Sequence, residues 1–336
     1  MYLMNELDTR LAWARELSRK ILEDGCAPNT RRAHASDLKY FWIWAETALG
    51  MTEHYPVSPD VVVAYLVDHV LGMPYHVAQV LKRSKVMRVE QQKFATISRR
   101  LGSLAAKHDV LGLVSPTKAP EVRDLITRSK RILKQERPPQ PAKPITKNIL
   151  DMMLVTCEDS LIGGRDRALL LFAFGSGGRR RSEIVNLKAE DLLLTRDGFL
   201  ATLWDLKNDR EKKGADVPVF GKAYQAMAEW LKRSEISEGY VFRALTAKGE
   251  LSDRPISEQW INQIVKERVS MTGRDPSLYS AHSLRHGAIT EMRRQGVPLR
   301  DIMQLALKRS VEDTVNYGAP SPLNKNKGSR IADDDR

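Results

Sequence analysis

Between Glu136 and Pro144 the chain reads Glu-Arg-Pro-Pro-Gln-Pro-Ala-Lys-Pro, four prolines within seven residues, and no continuous helix can run through it. Each ring fixes φ and removes a backbone donor, so the stretch is expected to be an extended strap. It splits the 336 residues into two parts, each long enough to bury a core of its own. The expected organisation is a helical domain over 1–136, a linker over 137–145, a second domain over 146–317 and a tail over 318–336. No internal repeat appears on either side.

Upstream of the strap the pattern is helical. Ser58-Pro59-Asp60 reads as an N-cap with proline at the first helical position, and Val62, Tyr65, Leu66 and His69 follow at helical spacing. Leu38, Phe41, Trp42 and Ala45 repeat that spacing after Pro28-Asn29-Thr30. A third helix carries Phe94, Ile97, Leu101 and Leu104 on its apolar stripe, with Lys93, Arg100 and Lys107 seven apart on a neighbouring face. A single basic row is ordinarily a solvated face. Several rows in one small helical domain, joined by a strap to a second basic domain, suggest a clamp on a duplex, with Arg31, Arg32, Lys93, Arg99, Arg100 and Lys107 as candidate contacts.

Charge agrees with such a partner. Lys and Arg number 54 against 42 Asp and Glu, a formal net charge of +12, which attracts polyanions and favours counterion release on a phosphate backbone. Cys26 and Cys157 are too few for a disulfide framework or a cysteine zinc site and read as ordinary thiols of a reducing cytoplasm. The opening Met-Tyr-Leu-Met-Asn-Glu-Leu-Asp has no basic-then-apolar export pattern, and runs such as Ala168 to Phe174 are too short to span a bilayer. A soluble, unexported protein without a membrane partner is expected.

Downstream, Asp166 to Phe174 reads as a buried helix ending at Gly175-Ser-Gly-Gly178, after which Arg179-Arg180-Arg181-Ser182-Glu183-Ile184 starts another. The glycines permit a close turn that would hold guanidinium groups near a helix N-terminus, where the backbone dipole favours an anion. Phe199 to Leu206 and Asp216 to Phe220 flank Asn208–Gly214 in the pattern of a hairpin, with Lys207 ending its first strand. Helical patterning returns after Ala281 almost to Tyr317.

Arg180-Arg181-Ser182-Glu183, His282-Ser283-Leu284-Arg285-His286 and Tyr317 together supply the parts needed to break a phosphodiester by nucleophilic attack without a metal. A free tyrosine has a pKa of about 10, so only about a thousandth is phenolate at neutral pH and attack needs cationic neighbours or a base. His282 suits that acid/base role. Arg180 and Arg285 are permanently charged planar forks suited to the extra negative charge on a five-coordinate phosphorus. No Gly-x-x-x-x-Gly-Lys-[Ser/Thr] loop and no carboxylate cluster of metal-binding type accompanies them, so neither metal nor nucleotide cofactor is expected. Taken singly, each residue has an ordinary reading: arginines pair on surfaces, His286 is structural, Lys212 and Lys213 are loop charges, and Tyr65, Tyr279 and even Tyr317 are core tyrosines. Only the joint pattern overrides these defaults.

Gly178-Arg-Arg-Arg-Ser-Glu-Ile-Val-Asn-Leu187, Leu206-Lys207-Asn208-Asp209, His282-Ser-Leu-Arg285-His286-Gly287 and Tyr317 resemble the motifs of the tyrosine recombinases, or phage integrases. The likeness covers the whole chain and includes Thr96–Gly102 in the helical amino-terminal part and the strap, as in Cre-type simple recombinases. It implies a mainly α, two-domain clamp: a helical, SAM-like core-binding domain, then a mixed catalytic domain with a small antiparallel sheet or hairpin. It makes Arg180 the first catalytic arginine, with Arg179 and Arg181 the alternatives one residue away. Glu183 becomes the acidic residue that supports the site by holding the histidine or an arginine, with His286 a second supporting residue. Lys207 matches the hairpin general acid, His282 and Arg285 the second box, and Tyr317 the nucleophile. Nine residues before Tyr317, where the family has His or Trp, this chain has Lys308, a mobile point charge rather than a flat donor.

The resemblance implies a site-specific recombinase that acts through a 3′-phosphotyrosyl intermediate. Its partners would be double-stranded DNA bearing a recombination site and, on synapsed DNA, three further copies in a tetramer, with a monomer or weak oligomer when free. A bacterial, phage or plasmid setting, including mobile elements, follows from the family alone. The polar tail from Gly318 to Arg336, with Pro320 and Pro322, is expected to be disordered alone and to dock in trans around Ile331. Two other readings share these residues. One is a telomere resolvase or type IB topoisomerase; the other is a catalytically degenerate DNA-binding protein, for which Lys308 is the sequence support.

Overall fold

Proline opens and glycine closes several helices of the amino-terminal part. Helix α1 spans Glu6–Asp24 and α2 spans Pro28–Leu49, beginning on Pro28 and stopping at Gly50, which takes φ 66°. Helix α3 (Pro59–Leu71) begins on Pro59 after the extended residue Ser58, whose side chain makes no capping bond. Helices α4 (Tyr75–Arg83), α5 (Phe94–Leu111) and α6 (Pro120–Glu136) follow, α5 closing on Gly112 at φ 69°. This computed structural model describes residues 6–87, 92–136, 142–204, 206, 213–246, 249–308 and 310–315. The chain divides into two compact units, Met1–Gln140 and Pro141–Arg336.

The core of the first unit follows the apolar spacing. Tyr40, Phe41, Trp44 and Ala45 of α2 meet Val62, Tyr65 and Leu66 of α3, Leu81 of α4, and Ile97, Leu101 and Leu104 of α5. Trp44 and Tyr65 pack edge to face with centroids 5.0 Å apart. Arg100, expected on an exposed basic row, is instead 8% exposed. Three residues after Ile97 and four before Leu104, it points along the apolar stripe. Its charge is accommodated there: the guanidinium lies 3.2 Å over the Tyr40 ring and donates to Gln92 Oε1. Gln92 Nε2 in turn donates to Tyr40 Oη (3.0 Å), which also meets His69 Nε2 (2.8 Å). Burial first, and the Arg100 charge with it, holds the His69 imidazole down to about 4.

The second unit contains α7 (Lys147–Val155), α8 (Leu161–Gly175), α9 (Arg181–Val185), β1 (Leu192–Leu194), β2 (Gly198–Leu203), β3 (Ala215–Phe220), α10 (Gly221–Ser234), β4 (Arg243–Leu245), β5 (Leu251–Pro255), α11 (Glu258–Met271), α12 (Ala281–Arg294), α13 (Leu299–Leu305) and α14 (Val311–Val315). Strands β1, β2 and β3 form one antiparallel sheet in that order. Alternation decides its buried face: Ala201 and Leu203 on β2, Val217 and Val219 on β3. The ladder ends at Leu203, three residues short of the expected strand end, and Trp204 turns its indole N–H onto Asp191 Oδ1 (2.7 Å). Lys207 and the residues through 212 lie outside the described ones, as do residues 137–141 of the strap, Tyr317 and the tail with Ile331. The β4–β5 hairpin has no counterpart in the sequence reading.

Two contacts set the frame for α12. Ile145, just past the strap, donates its backbone N–H to Ser283 O (2.9 Å), and a Cβ at Gly287 would lie 1.6 Å from Ile145 O. Only glycine lets the chain lie that close. Behind α8, Asp166 is shared by two buried guanidiniums. Arg165 reaches Oδ1 (3.0 Å) and Arg268 of α11 reaches Oδ2 (2.7 Å). Removing one charge from such a triad leaves the others unpaired in a poor solvent for ions. Asp166→Asn is therefore expected to lower stability by about 3–5 kcal/mol, read as a shift in the chemical-denaturation midpoint.

Candidate active site

The arginine box begins where Gly177 (φ 93°) and Gly178 (φ 81°) carry the chain between α12 and the end of α13. A Cβ on Gly177 would lie 2.7 Å from Leu305, and one on Gly178 would lie 2.7 Å from the Cα of Arg285. The three arginines that follow diverge. Arg179 turns inward, 2% exposed, and donates Nη2 to Leu305 O (2.5 Å). Arg181 turns outward, 3.7 Å from Glu258. Arg180 caps α9 between them, its side chain 28% exposed.

Glu183 holds the arginine rather than the histidine. Its Oε1 accepts from Arg180 Nη1 (2.7 Å), and its Oε2 accepts the Arg180 backbone N–H (3.0 Å). The carboxylate thus closes the first turn of α9 and fixes the guanidinium above it.

Helix α12 supplies the second box. Its N-terminus is closed by Ser280 and Ser283, which places His282 and Arg285 in its first two turns, with Arg285 against the glycine turn. Arg285 is 2% exposed, with Nη1 donating to Gly178 O (2.5 Å) and Nη2 to Ala306 O (2.6 Å). His282 is exposed. Its imidazole is nevertheless held below its ordinary value of 6.5, first by partial desolvation and then by the charges of Arg285, His286, Lys308 and Arg180. Lys308 is half-buried and follows Leu307, whose φ of 49° turns the chain out of α13. The structure therefore brings Arg180, His282, Arg285, His286 and Lys308 together. Lys207 and Tyr317 belong to the undescribed residues, Tyr317 two positions beyond α14.

What sequence reasoning missed is the burial of Arg179, named there only as an alternative to Arg180 and in fact a charged side chain sealed beneath the site. Its only signal was its position four residues before Glu183, one helical turn away. Among the amino-terminal candidates, Arg31 and Arg32 are exposed and tied locally, Arg32 to Asn29 Oδ1 (2.7 Å) and Arg31 to the Asp24 carbonyl (3.3 Å). Lys93 is exposed and Lys107 half-buried. Arg99 is half-exposed with Nη1 on Asp37. Arg100 lies in the core.

Comparison with known proteins bears on this arrangement. Residues 143–322 match the model of the phage integrase family. An integrase/recombinase XerD homologue of Selenomonas ruminantium is 27% identical over 313 residues, covering 89% of this chain and 84% of that protein. The tyrosine recombinase XerC of Syntrophus aciditrophicus is 26% identical over 310 residues, 89% of this chain and 90% of its own. The fold is that of the Tn1549 transposon integrase solved with transposon right end DNA, at TM-score 0.61 and 14% identity over 94% of this chain and 98% of that one. It is also that of the XerH site-specific recombinase bound to a palindromic difH substrate, at TM-score 0.58 and 13% identity over 90% and 80%. With the family model spanning more than half its length, the chain belongs to the phage integrase family, the tyrosine recombinases.

Proposed function

We propose that the protein cleaves and rejoins double-stranded DNA at a specific recombination site through a phosphotyrosyl link made by Tyr317. The observation that carries this reading is the charge around His282: the guanidiniums of Arg285 and Arg180 and the ammonium of Lys308 lie close enough to disfavour its protonated form, and Arg285 is itself fixed to Gly178 O and Ala306 O. A site in which these cations outnumber the Glu183 carboxylate suits a diester phosphate, and suits the more highly charged five-coordinate transition state better still.

In this reading Arg180 and Arg285 take the non-bridging oxygens. His282, kept neutral by its neighbours, accepts the phenol proton as the Tyr317 oxygen attacks phosphorus, and Lys207 gives a proton to the departing 5′ oxygen. Lys308 adds a donor on the same side. The covalent link is an ester much like the one broken, so a second 5′ hydroxyl reverses the attack without metal or nucleotide. The amino-terminal unit, 1–136, serves as the DNA-binding domain and 146–317 as the catalytic one. Arg31, Arg32, Lys93, Lys107 and the exposed part of Arg99 are its phosphate contacts. Exchange takes place in a tetramer on two duplexes. Whole-length relatives named as recombinases support this over a telomere resolvase or type IB topoisomerase. The placement of Lys308 beside the histidine supports an active rather than a degenerate site.

A nicked suicide duplex carrying the target site should trap a covalent protein–DNA adduct on denaturing gels. Tyr317→Phe should trap none, and Arg180→Lys or Arg285→Lys should slow trapping by about a hundredfold or more, because a point charge cannot replace a fork. An adduct from Tyr317→Phe would sink the reading.

The His282 environment also fixes a sign. Because partial desolvation first, and its cationic neighbours with it, favour the neutral ring, the base form is present at pH 7 and is lost as pH falls through a value below 6.5. The cleavage rate at sub-saturating DNA, which reports the free enzyme, should show an acid limb with its midpoint under 6.5, and His282→Gln should abolish that limb.

A further inference from the structure

Arg179 is charged, sealed and incompletely bonded. One of its nitrogens, Nη2, holds Leu305 O, while neither Nε nor Nη1 has a hydrogen-bond partner among the described residues. Burial draws its pKa down to about 10, with Glu183 opposing the fall and Arg285 and Arg180 adding to it, so the group stays protonated at neutral pH. An apolar chain would fill the same place without the cost of desolvating a charge. The position of its idle nitrogen suggests what the charge is for: Nη1 stands 3.7 Å from Glu183 Oε2.

Glu183 is itself 3% exposed, and its contact with the Arg180 side chain runs through Oε1. In the reading above Arg180 must present its fork to the scissile phosphate. Doing so releases Oε1 and leaves a buried carboxylate short of a cation, a strongly disfavoured state unless another charge moves in. Arg179 is already there, and closing about an ångström would make a charge-assisted hydrogen bond.

We propose that Arg179 is a positioning residue that takes over the Glu183 carboxylate when Arg180 turns onto the DNA phosphate. Glu183 is then neutralised in both states, and Arg180 is free to leave it. The bond from Nη2 to Leu305 O holds Arg179 against the end of α13 throughout, so the exchange needs only a small rotation of one buried fork. This inference rests on Arg180 being a phosphate ligand.

The test is a mutant cycle read by single-turnover cleavage of the nicked suicide duplex, with DNA binding followed separately by gel shift. Arg179→Met should bind DNA as the parent does and cleave about tenfold more slowly, because an unneutralised Glu183 keeps hold of Arg180. Adding Glu183→Gln removes the charge that needs a partner, so the double variant should cleave as fast as Glu183→Gln alone. Arg179→Lys, which keeps the charge, should retain most of the rate. Arg179→Gln carries the same expectation as Arg179→Met should the latter fold poorly.

The proposal is overturned if the two single losses multiply in the double variant, if Arg179→Met cleaves at the parental rate, or if Arg179→Lys is as slow as Arg179→Met. Arg180→Met separates this from the reading beneath it. Parental cleavage by Arg180→Met removes Arg180 as a phosphate ligand altogether, whereas an inactive Arg180→Met beside a fully active Arg179→Met sinks the exchange alone.

Discussion

The bond pair made by Arg285 is the constraint on which the catalytic unit depends. A guanidinium 2% exposed reaches Gly178 O across 107 residues of sequence and Ala306 O across 21, so one side chain ties the glycine turn, α12 and the end of α13 into a single piece. Carbonyl oxygens hold the group by dipoles and do not cancel its charge. The glycine turn meets it on equal terms: Gly178 has no Cβ because Arg285 occupies that space. Position and charge are thus fixed by one arrangement, and the arginine box and histidine box cannot shift relative to each other without breaking it.

Buried arginines elsewhere are handled differently. Arg165 and Arg268 share Asp166, and Arg100 has its Nε 3.7 Å from Asp37, which the half-exposed Arg99 also bonds. Those pairings neutralise charge and lock helices together. At the candidate site Arg179 and Arg180 share the carboxylate of Glu183, while Arg179 and Arg285 also lean on backbone carbonyls. A carbonyl holds a guanidinium without cancelling its charge, and that positive character is what a phosphate would meet.

Much of this was legible in the sequence, for definite reasons. Helical spacing of Val62, Tyr65 and Leu66, proline at the starts of α2 and α3, and the apolar run of α8 report local geometry, and local geometry is what periodicity encodes. The clustering of Arg180, His282, Arg285 and Lys308 was legible only through their joint pattern, since the first two lie 102 positions apart in sequence. Arg100 and Arg179 were misplaced or missed for one shared reason. A charged side chain enters a core only when a distant partner receives it, here the Tyr40 ring with Gln92, or the Leu305 carbonyl with Glu183. Nothing in the spacing of either arginine names that partner. The β4–β5 hairpin escaped for a related reason: its burial pattern shows no clear two-residue alternation, so strand periodicity is absent.

The depressed basicity of His282 gives the proposed chemistry a direction in time. Partial desolvation first, and the surrounding cations with it, disfavour the imidazolium, so the ring is neutral and able to accept a proton. A diester phosphate brings one negative charge into that cluster, and the five-coordinate state brings a second, each favouring the protonated ring. Proton affinity therefore rises as the bond to phosphorus forms, when the phenol of Tyr317 must give up its proton. When the phosphotyrosyl ester is complete the second negative charge is gone, though the diester keeps one, and the imidazolium becomes a stronger acid again, readier to part with that proton. A base tuned by its substrate in this way works in both directions, which a reaction that must cleave and then rejoin requires.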